Sequence, residues 1–198
     1  MDIRRITRRL ALEDIEIAYR KGLFPMADPD AGLVTWHRPT RRAILPLDAV
    51  HVPRSLARRM RRGGYTVTIN RDFAGVMTAC ADRDDTWISA EFLEVFTGLH
   101  HRGKAHSLEV WVDGLLAGGV YGVHFGAAFF AESMFHRVTD MSKIALVSLA
   151  ARLAARGFRL LDVQYQSDHL ARFGVVEIPN REYQRLLAAA LETSAEFE

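Results

Sequence analysis

The run SLEVWVDGLLAGGVYGVHFGAAFFAES, residues 107–133, decides the fold. At its centre stands Asp113-Gly114, a dipeptide suited to the left-handed backbone of a two-residue hairpin turn. Ser107 to Val112 and Leu115 to Val123 flank it and are rich in branched and aromatic side chains, so they read as paired strands. Ala127 to Ser133 continues the meander as a third strand, which closes on Phe130-Ala131-Glu132-Ser133-Met134-Phe135. About thirty residues later Leu161-Asp162-Val163-Gln164 has the same form, an apolar strand ending in polar residues. Asp162 and Gln164 share a parity, so their side chains point to one face of a strand. A carboxylate set directly after a buried run is costly without a partner. An acid and an amide on one face, near the second acid Glu132, suit an acyl-transfer centre. The same spacing also fits two strand ends whose carboxylates cap neighbouring helices.

Outward from the meander the chain alternates. Thr66 to Ile69 is β-rich, and Asp72 can cap a helix running toward Ala81. Ala90 to His101 has helical apolar spacing, and Met141 to Arg156 is a helix stopped by Gly157. Phe158 to Val163 reads as a strand, Asp168 to Phe173 as a short helix, Val175 to Ile178 as the last strand and Arg181 to Leu191 as the last helix. Upstream, Leu12 to Tyr19 is a short amphipathic helix ended by Gly22. Phe24 to Pro29 reads as turn-rich, and Trp36 leads into Pro39 and Pro46, which predict extended, irregular chain. The expectation is an α+β fold, a mostly antiparallel sheet flanked by helices. Residues 1–45 form a small N-terminal domain and 46–198 the catalytic one. The element order resembles the N-acetyltransferase-like fold, which does not by itself give a function.

Composition narrows the classes. Of 198 residues 49% are hydrophobic, enough for a core, and no apolar run reaches the roughly 18 residues that span a bilayer. The N-terminal Met1-Asp2-Ile3-Arg4-Arg5 lacks the apolar stretch of a signal peptide. The single cysteine, Cys80, excludes an internal disulfide and a thiolate metal cluster. A monomer in the cytoplasm is expected. The net charge is only +2, yet Arg54, Arg58, Arg59, Arg61 and Arg62 crowd one segment, and Arg4, Arg5, Arg8 and Arg9 another. Such clusters either track a phosphate backbone or form an ordinary solvated face.

Several chemistries lack their residues. There is no Gly-x-Ser-x-Gly elbow to make Ser133 a nucleophile, no His-Glu-x-x-His or Cys-x-x-Cys spacing, and no Walker loop. Neither metal nor ATP is expected. Acyl-coenzyme A needs exposed backbone N–H groups in the loop that opens the helix after the meander. That loop, His136-Arg137-Val138-Thr139-Asp140-Met141, has no glycine and carries an acid, which speaks against coenzyme A and leaves no cofactor expected.

The chain resembles the leucyl/phenylalanyl-tRNA–protein transferases. The matching stretches include Ala18-Tyr19-Arg20-Lys21-Gly22-Leu23-Phe24-Pro25-Met26, Trp36 with Pro39 and Arg42, and His51-Val52-Pro53-Arg54-Ser55-Leu56. Thr86-Trp87-Ile88, Leu99-His100, Gly103 to Trp111, Ala117 to Val123 and Glu132-Ser133-Met134-Phe135 continue them. Ser142-Lys143, Asp162-Val163-Gln164 and His169-Leu170 complete the match, which runs from about residue 18 to about 183.

The resemblance implies transfer of Leu, Phe or Met from charged tRNA to the N-terminal α-amine of proteins that begin with Arg or Lys. Proteins so marked enter N-end rule degradation. An aminoacyl ester is already activated, so orientation worth an effective molarity of order 10⁵ M can replace a covalent nucleophile. In this scheme Asp162 orients and polarises Gln164, Gln164 contacts the amine or the ester carbonyl, and Glu132 places the amine. Replacing Asp162 by Ala is expected to lower turnover and leave the fold intact. The plain alternative is that Asp162 and Glu132 only neutralise buried arginines.

By resemblance, Val120, Phe129, Met134, Leu146, Leu149 and Leu161 line the aminoacyl pocket, the alternative being plain core packing. Trp87 stacks on the terminal adenine of the tRNA, a contact worth roughly 1–3 kcal/mol, or is a core tryptophan. Arg54 to Arg62 meet the acceptor stem. The sequence departs from the family at Met26, Ala131, Val163 and Arg172-Phe173-Gly174-Val175, and the bulk of Arg172 and Phe173 bears on acceptor choice. Another acyl donor, another acceptor class such as acidic N-termini, and a non-catalytic tRNA-binding role stay open.

Overall fold

The structure is a computed structural model that describes residues 3–198; Met1 and Asp2, read above as part of a stretch without a signal peptide's apolar region, lie outside the described residues. In chain order the elements are β1 (Ile3–Thr7), α1 (Leu12–Arg20), β2 (Phe24–Asp28), β3 (Leu33–His37), β4 (Arg41–Ile44), α2 (Arg54–Arg62) and β5 (Thr66–Ile69). Then come α3 (Phe73–Ala81), α4 (Ala90–His101), β6 (Ala105–Val112), β7 (Leu115–Phe125) and β8 (Ala128–His136). The last are α5 (Met141–Ala155), β9 (Leu160–Gln164), α6 (Asp168–Ala171), β10 (Val176–Pro179) and α7 (Asn180–Leu191).

The meander forms as expected. Asp113 and Gly114 both have positive φ, 50° and 77°, and turn β6 directly into β7. A seven-stranded sheet, ordered β10-β4-β9-β8-β7-β6-β5, grows around it. Its pairings are antiparallel except β8 with β9, which run parallel. This is the α+β architecture that the element order implies. A second, three-stranded sheet has the order β1-β3-β2.

Alternation along the strands divides the apolar residues between two cores. One face of the large sheet presents Tyr121, Val123 and Phe130 to α1, α3, α4 and α7, and Phe24, Val34 and Trp36 of the small sheet join that core. The other face presents Leu108, Val120, Phe129 and Leu161 to α5 and to Leu56 of α2. Helix α5 fits this place because it is apolar along nearly its whole length, with Ile144, Leu146, Leu149 and Leu153 buried. Full burial of each such side chain contributes roughly 1.5–3 kcal/mol. The helix starts close against β7: a Cβ on Gly118 would lie 2.6 Å from Met141 Cβ. Cys80 is buried in the first core, and burial pushes its thiol up to about 12.

Three expectations for the N-terminal part change. Phe24–Asp28 is a strand, because Pro25 lies on an edge strand that pairs on one side only and has no second neighbour to lack a bond with. Trp36 sits within β3, and Arg41–Ile44 forms a strand inside the large sheet between β9 and β10. The arginine segment is a helix, α2, whose single buried residue is Leu56; its face is written in charge, so apolar periodicity did not show it. No helix among the described residues is long and apolar enough to cross a membrane.

Candidate active site

Glu132, Asp162 and Gln164 meet where the parallel pair comes apart. The β8–β9 ladder runs from Ala128↔Leu160 to Phe130↔Asp162 and stops, while both strands continue. On the other side of β8 the pairing with β7 skips one residue, from Gly122↔Ala131 to Tyr121↔Ser133. Glu132 is the extra residue of that β-bulge, a device that re-aims a side chain. Gln164 closes β9 in the left-handed region, at φ 58°. A residue other than glycine held there stores strain, which the surroundings must offset.

The surroundings here are Asp162. Its side chain is fully buried and accepts from four donor atoms. Arg42 Nε donates to Oδ1 and Oδ2 at 2.8 and 3.0 Å, and Arg42 Nη2 donates to Oδ2 at 2.7 Å. Tyr183 Oη donates to Oδ2 at 2.6 Å, and the Gln164 backbone N–H to Oδ1 at 2.9 Å. Asp162 therefore holds the backbone of Gln164, not its amide as the sequence suggested, since the left-handed turn folds that N–H back over the carboxylate. The Gln164 side chain instead donates from Nε2 to Glu132 Oε1 at 3.3 Å.

The two acids differ in environment. Asp162 faces a guanidinium and a phenol. Glu132 is partly buried, and its carboxyl is raised to about 8. Desolvation is the main cause and the charge of Asp162 adds to it, while the Tyr19 hydroxyl and Arg42 oppose the rise. Burial, with Glu132 alongside, also pushes the Tyr19 phenol well up. Arg42 stays charged, because Asp162 more than offsets the cost of its burial.

Glu132 and Gln164 open into a cavity of about 160 Å³ lined also by Phe24, Pro25, Met26, Trp87, Val163 and Tyr165. Trp87 is partly buried there, with its ring 5.6 Å from that of Phe92 in an edge-on contact. Val120, Phe129, Met134, Leu146, Leu149 and Leu161 come together, but on the α5 face of the sheet. All but Met134 are fully packed, and none borders the Glu132–Gln164 cavity. Arg54, Arg58, Arg61 and Arg62 are exposed on α2 with no ion pair among the described residues. Arg59 folds back instead, donating to the Gly63 carbonyl at 2.6 Å and lying over the Tyr65 ring.

Sequence reasoning missed Arg42 and Tyr183 as partners of Asp162, and Tyr19 as the buried phenol beside Glu132. The available signal was an arginine at the head of the apolar run Arg42-Ala43-Ile44-Leu45, where a buried strand leaves a cation in need of an anion. A larger cavity, of about 640 Å³, lies away from the acids at the Phe125–Ala128 end of the meander. It is bordered by His106 and His124, whose rings bond to each other at 3.0 Å. Among the described residues no cluster of three or more His, Cys, Asp or Glu could hold a metal ion.

Known proteins resemble this chain closely. Residues 44–188 match the family model described as leucyl/phenylalanyl-tRNA protein transferase. The enzyme so named from Ruegeria pomeroyi is 57% identical over 183 residues, covering 90% of this chain and 86% of its own. Those from Salinibacter ruber and Rubrobacter xylanophilus are 53% and 54% identical, covering 91% and 96% of this chain and 80% and 99% of theirs. Among solved structures, a ribosomal-protein-alanine N-acetyltransferase from Brucella melitensis overlaps 54% of this chain and 82% of its own at 19% identity and TM-score 0.41. With nearly its full length matched at this identity, the chain belongs to the leucyl/phenylalanyl-tRNA–protein transferase family and is an aminoacyltransferase that uses aminoacyl-tRNA.

Proposed function

We propose that the chain transfers Leu, Phe or Met from charged tRNA to the α-amine of proteins beginning with Arg or Lys, in the cytoplasm and as a monomer, and so marks them for N-end rule degradation. The observation that carries this reading is the Gln164–Glu132 contact at the mouth of an aromatic-lined cavity. Because Gln164 Nε2 is committed to Glu132, its Oε1 is left to accept from an incoming amine. The amine nitrogen attacks the ester carbonyl, the new C–N bond forms, and the C–O bond to the tRNA ribose breaks. Glu132 receives the proton the amine sheds, directly or through Gln164, and returns it to the leaving ribose oxygen. A carboxyl near 8 is matched to that exchange at neutral pH. Asp162 has no lone pair to spare for substrate and serves by holding Gln164.

The basic first residue of the acceptor would meet Glu132 as its counter-charge in the ionised form, whose fraction grows as pH approaches 8. Trp87 stands ready at the cavity wall for the terminal adenine, and the exposed arginines of α2 for the acceptor stem. The six apolar residues on the α5 face are the pocket proposed for the aminoacyl side chain, and the packing there would have to open to admit it. An aminoacyl side chain entering there would be selected loosely, since one methylene discriminates by only about 1–3 kcal/mol. The test is transfer of labelled leucine from charged tRNA to peptides beginning with Arg, Lys, Asp or Glu. Transfer to Arg and Lys alone supports the acceptor assignment, and transfer to Asp or Glu overturns it.

A further inference from the structure

Arg42 takes no direct part in the scheme above, yet it is a fully enclosed cation. Its side chain is 1% exposed. The guanidinium lies between two rings, 4.5 Å from the centroid of Phe24 and 4.8 Å from that of Tyr183. Its Nη1 donates to the Gly22 carbonyl at 3.2 Å, and its Nε and Nη2 grip Asp162. The parts it joins come from four places in the fold: the turn after α1, β2, β9 and α7. Strand β4 brings it in by pairing Ala43 with Gln164 and Ile44 with Asp162, across a register irregularity between those two residues.

This grip acts on Gln164 along a short path. Asp162 fixes the Gln164 N–H, that bond holds the left-handed turn, and the turn aims the amide at Glu132. Remove the cation and the buried carboxylate is uncompensated. It would take up a proton or draw in water, and either change disturbs the acceptor that Gln164 N–H uses. Lysine does not substitute, because a point charge cannot present the guanidinium's forked donors and flat faces.

We propose that Arg42 is a positioning residue for aminoacyl transfer, acting through Asp162 to lock Gln164 in the conformation that meets the attacking amine. The proposal rests on the role given to Gln164 above. It differs from simple structural support in predicting that fold and turnover separate.

The experiment compares wild type with Arg42→Lys, Arg42→Met and the double variant Arg42→Met/Asp162→Asn. The double variant removes both charges at once and leaves no buried ion unpaired, so it guards against mere unfolding. Each is measured for thermal midpoint, for kcat and KM with charged tRNA and an Arg-initiated peptide, and for exchange protection of the Gln164 amide. The expected result is a double variant with a midpoint close to wild type, a kcat lower by about 10²-fold, as for a reacting group displaced by about 1 Å, and an unprotected Gln164 amide. KM changes less than about threefold. A well-folded double variant or Arg42→Lys protein with wild-type kcat overturns the proposal. So does a Gln164 amide that stays protected in every variant. If wild type itself fails to transfer leucine, the functional reading falls, while the amide exchange still reports whether Arg42 holds Gln164.

Discussion

Replacing Asp162 by Ala tests whether the site is dry. The sequence suggested that this change would spare the fold. The structure says otherwise, because Arg42 is 1% exposed and its carboxylate partner 0% exposed. Breaking a buried pair by removing one partner costs about 3–5 kcal/mol. The Tyr183 hydroxyl and Gln164 N–H lose their acceptor in the same stroke, at about 1–3 kcal/mol each if unrelieved. These losses share one group and do not add. About 4 kcal/mol is the working figure, within the range for the pair alone. For a chain of this size each kcal/mol moves the midpoint by about 2–4 °C, so a fall of about 8–16 °C is expected. Calorimetry on wild type, Asp162→Ala and Asp162→Asn reads it, with the isosteric amide falling less. A drop below about 4 °C in the alanine variant would show that water or another acceptor already serves Arg42, and the account of a sealed pair would be wrong.

Other outcomes follow from the same geometry. Glu132 titrates near 8 when folded, above its ordinary value of 4.5. The folded state therefore holds a proton between those values that the unfolded chain has released, and stability falls as pH rises through that window. Glu132→Gln should flatten the change in thermal midpoint between pH 5 and 9 and abolish the rise of kcat toward pH 8; an unchanged midpoint difference would remove Glu132 as its source. His106 and His124 are lowered to about 3 and about 4, chiefly by burial. Both are neutral when folded, so the stability they lend is complete above about 6.5 and is lost as pH falls toward 4. Phe197 stacks on His106 at 4.3 Å, so limited proteolysis should find the C-terminal segment first to open in acid; cleavage beginning elsewhere would contradict this. On α2, Arg54→Glu with Arg58→Glu should lower the salt slope of tRNA binding by about 2, and a slope equal to wild type would place the acceptor stem on another surface.

Much of the fold could be read from local chemistry. The hairpin at Asp113-Gly114 and the apolar length of α5 declare themselves because turn residues and burial leave periodic marks. The strands β2, β3 and β4 did not, since Pro25, Pro39 and Pro46 argue against sheet unless one knows which edges are free. The candidate site was legible as residue types and not as roles. Parity placed Asp162 and Gln164 on one face, but nothing local tells that Gln164 turns left-handed or that Glu132 sits on a bulge. The partner of Asp162 stands 120 residues away in sequence, beyond any local pattern.

That separation has a consequence for how the protein comes into being. Arg42 leaves the ribosome long before Asp162, and at about 5–20 residues per second the wait is roughly 6–24 s. Throughout that interval the guanidinium lacks the carboxylate it pairs with in the folded protein, and the small N-terminal sheet lacks β9 of the large one. Tyr183 arrives later still, from the helix that seals the pair. The centre therefore assembles in the last stage of synthesis, and a chain truncated before α7 would carry Glu132, Asp162 and Gln164 and still lack a built site.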